Sequence, residues 1–265
     1  MGFGGGPLLA GVVLEHGPYT LPGGIALDGF TACFYIAAGA ALVSTLMVVA
    51  MVDDPETTKP TDRSFAIPVR GREQALDPVF SLGLATFMMT SCIALMSSIE
   101  PEVNARLDQG PVLFAIQFAT FIGALAVVQP LVGRASDTYG RRTFILVGLA
   151  ALAPTTLAQG LVTTPAQMIG ARLLQGISGA LIFAPALALA GDLAEEGEAA
   201  STLSVLTVAF GLGISFVQIT AGILVQYGFV MPFAVGALLA LAGVALVYTQ
   251  VHEPASDTGV VPHAP

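Results

Sequence analysis

Arg172 is the only charge within the long apolar stretches of this sequence, and Gln175 and Gly179 follow it at i+3 and i+7. That spacing puts all three on one face of a helix. An arginine several residues inside a bilayer-length stretch costs a few kcal/mol unless it faces protein or water, which makes it a functional candidate. Its planar donor fork suits an anionic group on a solute, or the orientation of neighbouring amides. Gln117 and Gln218 belong with it. Counted from the same end of their stretches, these four side chains lie at depths of roughly 9 to 14 Å at 1.5 Å per residue. Arg172, Gln175, Gln117 and Gln218 are therefore candidates for one shared polar site. The alternative for Arg172 is snorkelling, because a long side chain near the boundary can reach the interface.

Other reactive residue types do not assemble into chemistry. Cys33 and Cys92 sit in apolar stretches with no partner cysteine in a loop, and read as small buried hydrophobes. His16, His252 and His263 lack ligand spacing, so no metal site is expected. No nucleophile elbow, zinc-helix or phosphate-loop motif occurs, so neither an enzyme nor a cofactor is called for. Asp192, Glu195, Glu196 and Glu198 read as a solvated turn.

The elements that must position the candidate residues follow from composition. Of 265 residues, 55% are hydrophobic and 10% charged, and the mean hydropathy is +0.82. That leaves too little polar surface to coat a soluble core, so the chain reads as an integral membrane protein partnered by the lipid bilayer. With 9 basic against 18 acidic residues, a nucleic-acid binder is excluded. A bilayer-spanning helix needs about 20 largely apolar residues. Gly29 to Val52, Pro78 to Ile99, Gln109 to Gly133, Thr143 to Leu161, Ala166 to Ala190, Ala199 to Gln226 and Val230 to Val251 qualify. Gly2 to Leu14 is too short to span and reads as the rear of a longer helix. Basic residues favour cytoplasmic loops. Lys59, Arg63, Arg70, Arg72, Arg134, Arg141 and Arg142 fall on one side, and only Arg106 on the other. The connection 53–77 and the C-terminus are therefore expected in the cytoplasm of a multi-pass cell-membrane protein, with a short amphipathic helix near Phe65 to Leu76.

Three motifs refine the reading. Gly133 to Arg142 reads G-R-A-S-D-T-Y-G-R-R, placed by hydropathy in a short turn. Gly133 and Gly140 allow a tight turn, Asp137 can accept hydrogen bonds from a helix N-terminus, and Arg141 and Arg142 can pair with carboxylates or anionic lipid. The pattern resembles the cytoplasmic-loop signature of the major facilitator superfamily, which joins the second and third helices of each six-helix half. Thr138 departs from it, since the residue after the aspartate is usually basic there. Gly2 to Gly11, with Gly6-Pro7 and Ala10-Gly11, resembles the glycine- and proline-rich antiporter motif of the family's fifth helix. Arg172 to Gly179 resembles the arginine-bearing motif of the fourth helix, here at the equivalent tenth position. An internal repeat agrees: Gly2, Ala10-Gly11 and Gly17 match Gly213, Ala221-Gly222 and Gly228, and Phe34 to Pro55 runs alongside Phe233 to Pro254.

The resemblance implies an all-α membrane bundle containing the C-terminal six-helix half, preceded by one full and one partial helix. Residues 1–52 would be the end of the fifth helix and the sixth helix, 53–77 the central loop, 78–251 the second bundle and 252–265 a tail. The implied function is secondary transport of a drug or small solute out of the cell by alternating access. The implied partners are a small-molecule substrate and a missing N-terminal half, encoded by the same gene or supplied by a second chain. Asp137 would then act in gating, and in this chain alone should pair with Arg141 or Arg142. A rival expectation is a non-transporting membrane protein, either a truncated product or an assembly partner.

Overall fold

The computed structural model describes residues 2–21, 25–52, 69, 75–194 and 199–252, with the side chains of residues 2–5, 21, 25 and 199 outside the description. The expected amphipathic helix near Phe65 to Leu76 falls almost wholly outside these residues, as do Glu195, Glu196, Glu198 and the tail beyond His252.

All seven long apolar stretches are helices: α2 (Gly29–Met51), α3 (Pro78–Ser98), α5 (Pro111–Tyr139), α6 (Arg141–Leu161), α7 (Pro165–Asp192), α8 (Ala199–Leu224) and α9 (Met231–Gln250). Each is long and apolar enough to cross a membrane. The short N-terminal stretch is α1 (Gly2–His16), about 22 Å long at 1.5 Å per residue. α3 and α7 each start with a capping side chain and a proline at the first helical position, where the missing N–H costs nothing. Asp77 accepts from Val79 N at 2.9 Å and Phe80 N at 3.2 Å ahead of Pro78. Thr164 Oγ1 accepts from Gln167 N at 3.3 Å ahead of Pro165.

Two connections are more ordered than the sequence reading expects. Residues 100–108, read as a loop, form helix α4 (Glu100–Leu107), which ends on a left-handed Asp108 (φ 47°). The connection between α1 and α2 holds an antiparallel hairpin of β1 (Tyr19–Leu21) and β2 (Ile25–Leu27), a small exception to the all-α reading. The expected turn around Gly133 is corrected. α5 runs on to Tyr139, so Gly133 and Asp137 are helical and Gly140 alone (φ 97°, ψ 124°) links α5 to α6. Hydropathy falls after Gly133, but nothing from Arg134 to Tyr139 breaks a helix, so it continues past its apolar part until a residue must adopt positive φ.

α7 packs against α5 and α6, α3 against α8 and α9, and α6 against α9, while α1 rests on α5 and α2. Small residues permit the close crossings. A Cβ on Gly176 would lie 2.9 Å from Ala124 Cβ and collide with the Phe121 carbonyl, and one on Gly213 would lie 2.5 Å from the Phe87 carbonyl. Between apolar helices in lipid, such approach supplies the van der Waals attraction that hydrophobic burial supplies in water. Two apolar clusters fill the bundle. One, toward Gly140, gathers Leu82, Met89, Ile145, Leu149, Leu189 and Val247. The other, toward α4, gathers Met96, Val103, Leu107, Phe114, Met168 and Phe233. α2 buries none of its residues.

Candidate functional site

A cavity of about 370 Å³ opens between α1, α3, α5 and α8. Its wall is mostly apolar, with Phe114 and Phe118 from α5, Phe210 and Ile214 from α8, Ile93 from α3, and Pro7, Ala10 and Gly11 from α1. Gly11 lets α1 sit directly on α5, since a Cβ there would lie 2.8 Å from Ala115 Cβ. A Cβ on Gly6 would meet nothing within 4 Å, and Gly2 lies in the first turn of α1. The polar lining is Thr90, Ser97, Glu100 and Gln218. Both hydroxyls are spent on their own helix: Thr90 Oγ1 donates to Thr86 O at 2.9 Å and Ser97 Oγ to Ala94 O at 2.8 Å. Glu100 accepts from Asn104 Nδ2 at 3.5 Å, and no hydrogen bond engages the Gln218 side chain among the described residues.

Arg172 lies one layer behind this wall. It is fully buried, so its head group does not reach an interface. Its guanidinium stacks over the rings of Phe121 (4.5 Å) and Phe118 (5.4 Å). Nη1 donates to Gln175 Oε1 at 2.5 Å and, more weakly, to Ile93 O at 3.4 Å. Gln175 Nε2 in turn donates to Cys92 O at 3.2 Å and Thr156 Oγ1 at 3.4 Å. The Arg172–Gln175 pair thus ties α7 to α3, α5 and α6. Among the described residues, Nε and Nη2 of Arg172 are buried without an acceptor. Ile93 and Phe118 belong both to the cavity wall and to the shell around Arg172.

The four residues matched by depth therefore divide. Arg172 and Gln175 are bonded, Gln218 faces the cavity from α8, and Gln117 stands apart. Gln117 is buried and exchanges amide hydrogen bonds with Gln109 (2.7 and 3.1 Å), and its Nε2 lies 3.5 Å from Pro165 O. Depth along a helix axis says nothing of azimuth, and azimuth leaves only Arg172 and Gln175 of the four in contact. The phenyl rings and Glu100 were missed. Phe118 and Phe121 share a face with i, i+3 spacing, and Glu100 follows directly on the end of a span; both signals are in the sequence.

At the opposite end of the bundle, the Gly140 link starts an ion-pair cluster. Arg141 Nη2 lies 3.0 Å from Asp137 Oδ1, as expected for this pair, and Nη1 also bonds Asp192 Oδ2 of α7. Arg142 Nη2 donates to Tyr248 O at 2.6 Å, with its guanidinium over the Tyr248 ring at 5.5 Å. The two arginines thereby bridge the α5–α6 link to α7 and α9. Among the described residues no group of three or more His, Cys, Asp or Glu could hold a metal ion.

Comparison with known proteins agrees with this architecture. The chain is 30% identical over 167 residues to the MFS efflux transporter aclA of Aspergillus oryzae, covering 63% of this chain and 30% of that protein. It is 32% identical over 134 residues to a probable actinorhodin transporter of Streptomyces coelicolor, covering 50% of this chain and 23% of that protein. It is 25% identical over 162 residues to multidrug resistance protein 1 of Bacillus subtilis, covering 61% and 42%. The match thus spans less than half the length of each of these relatives. The Major Facilitator Superfamily profile matches residues 79–262, which take in α3 through α9 and both ends of the bundle just described, and the chain is a member of that superfamily.

Proposed function

We propose that this chain supplies the second half of a secondary transporter that moves a small, mostly apolar solute out of the cell by alternating access. The observation that carries the reading is the apolar cavity between α1 and the bundle, with Arg172 one layer behind its wall. In this reading residues 78–251 are the second six-helix half, and α1 and α2 end the first half. The remaining helices come from the same reading frame or a second chain. The Gly140 end faces the cytoplasm and α4 faces outward. An acceptor or anionic group on the solute takes the two unpartnered donors of Arg172 when Phe118 moves aside. Gln175 orients the guanidinium, Gln218 meets the solute directly, and Gln117 holds α5 in place. Gly133, Asp137, Gly140, Arg141 and Arg142 form the gating latch, which the Arg141 bond to Asp192 closes. The efflux and export names of the relatives support the direction of transport.

The test uses efflux-deficient cells loaded with the fluorescent dye 1-pyrenebutyrate, which carries an apolar ring system and one carboxylate. Cells expressing the protein with its full reading frame should lose dye faster than cells expressing Arg172→Gln. Equal retention in both, at equal membrane abundance, overturns the assignment of Arg172. Retention equal to that of cells without the protein overturns export of this solute class.

A further inference from the structure

We propose that Glu100 is a cation subsite of the cavity, taking the ammonium group of an amine whose apolar part lies among Phe114, Phe118 and Phe210. The inference rests on the cavity being the solute site and adds the chemical class of one of the solute's groups. Glu100 is the first residue of α4 and, among the described residues, the only ionisable side chain in the cavity lining. Its one hydrogen bond among the described residues is from Asn104 Nδ2, at 3.5 Å. Asn104 is held from its other side, where Oδ1 accepts from Gln109 Nε2 at 3.0 Å, and Gln109 is locked to Gln117. The amide chain from α5 therefore aims an NH₂ group at the carboxylate and leaves most of its acceptor capacity open.

No basic side chain among the described residues forms an ion pair with Glu100. Arg106, on the same helix, is engaged elsewhere, stacking on Phe229 at 4.7 Å. Burial without a counter-charge pushes the Glu100 carboxyl above its ordinary range. A carboxylate in the first turn of a helix also interacts favourably with the helix dipole. Glu102 meets that need from the same turn, and the dipole does not explain a carboxylate in the wall of an otherwise apolar cavity. A carboxylate together with phenyl faces is the combination that recognises an ammonium ion, through charge at one side and ring quadrupoles at the other. The same carboxylate repels an anion at this end, so the acidic wall at α4 and the guanidinium behind Phe118 sort the two ends of a solute.

The sequence contains no tryptophan, so Phe210→Trp gives a single reporter in the cavity wall. The full chain carrying this reporter is placed in phosphatidylcholine nanodiscs and titrated with 3-phenylpropylammonium and with its uncharged analogue 3-phenyl-1-propanol. The ammonium compound should bind about tenfold more tightly than the alcohol, the scale of one desolvated charge-assisted contact. Glu100→Gln should abolish that preference and leave alcohol binding unchanged, which also shows that the variant is folded. Equal affinity for the two compounds in the parent, or a preference that survives Glu100→Gln, overturns the proposal while the cavity reading stands. If neither compound alters the emission, the cavity reading fails and the cation subsite falls with it.

Discussion

Replacing Arg172 with methionine should separate binding from stability. The substitution removes the Nη1 bond to Gln175, worth about 1.5 to 3 kcal/mol, and the stacking on Phe118 and Phe121, worth about 2 kcal/mol. It also removes two guanidinium donors that are buried without acceptors, each costing about 1 to 3 kcal/mol. Gln175 Oε1 loses its donor, a further cost of about 1 to 3 kcal/mol, while the desolvation of a buried charge disappears. These terms offset to within about 3 kcal/mol, so the thermal midpoint in detergent should stay within about 10 °C of the parent's. Binding of an anionic solute should behave differently. Titrating 3-phenylpropionate against the Phe210→Trp reporter should show a ten- to hundredfold rise in Kd, about 1.5 to 3 kcal/mol, with 3-phenyl-1-propanol unchanged. Arg172→Lys keeps the charge but loses the donor fork, and should lie between parent and Arg172→Met. The reasoning is refuted if Arg172→Lys and Arg172→Gln both bind the propionate like the parent. It is equally refuted if Arg172→Met lowers stability severely while the folded fraction keeps its affinity, for then the guanidinium is only a brace between helices.

Four further outcomes follow from the same structure. Asp137→Asn removes an exposed ion pair with Arg141 and should cost under about 1 kcal/mol in stability; transport assays on the full reading frame should show reduced rates with binding intact, and equal loss of both argues against gating. Gly176→Ala forces a Cβ against Ala124 and the Phe121 carbonyl, and should destabilise the bundle by about 1 to 3 kcal/mol in detergent unfolding. For Glu100, a native carboxyl raised above its ordinary 4.5 keeps its proton where the unfolded chain has released it. Its stabilising contribution is therefore present below the ordinary value and lost as pH rises through the native one, so Glu100→Gln should flatten the decline in thermal midpoint as pH rises above about 4.5. Cysteines placed at Thr61 and Gly71, in a background lacking Cys33 and Cys92, should react with an impermeant maleimide only from the cytoplasmic side, and labelling from outside reverses the proposed orientation.

The spans were legible because a helix in lipid must be apolar for the full bilayer thickness, and seven stretches meet that requirement. Their ends were less so. Hydropathy reports where the lipid ends, while Gly140 reports where the helix ends, and on α5 the two lie seven residues apart. α4 was missed because its eight residues, half of them polar, carry no hydropathy signal, although Pro101, Glu102 and Arg106 mark a helix start and finish. The Arg172–Gln175 pair was legible from i, i+3 spacing along one helix. Its shell was not: Phe118, Phe121 and the Ile93 carbonyl come from other helices, whose rotation about their own axes is fixed by packing and not by local pattern.

The contacts around Arg172 also have a direction in time. A chain leaves the ribosome from its N-terminus, and an arginine near the middle of a helix costs about 2.5 to 3.5 kcal/mol when it is inserted alone into lipid. Each partner seen around Arg172 and Gln175 outside α7, namely Cys92, Ile93, Phe118, Phe121 and Thr156, is synthesised before Pro165 begins α7. The helix that carries the buried charge therefore emerges when the surfaces that receive it already exist. α5 and α6 make few contacts with each other beyond their one-residue link and pack chiefly on α7, so the arriving helix also fills the wedge between them. A ribosome stalled before Pro165 leaves that wedge open to lipid or to the insertion machinery; one stalled just after Ala194 has already produced the full set of groups that enclose the guanidinium.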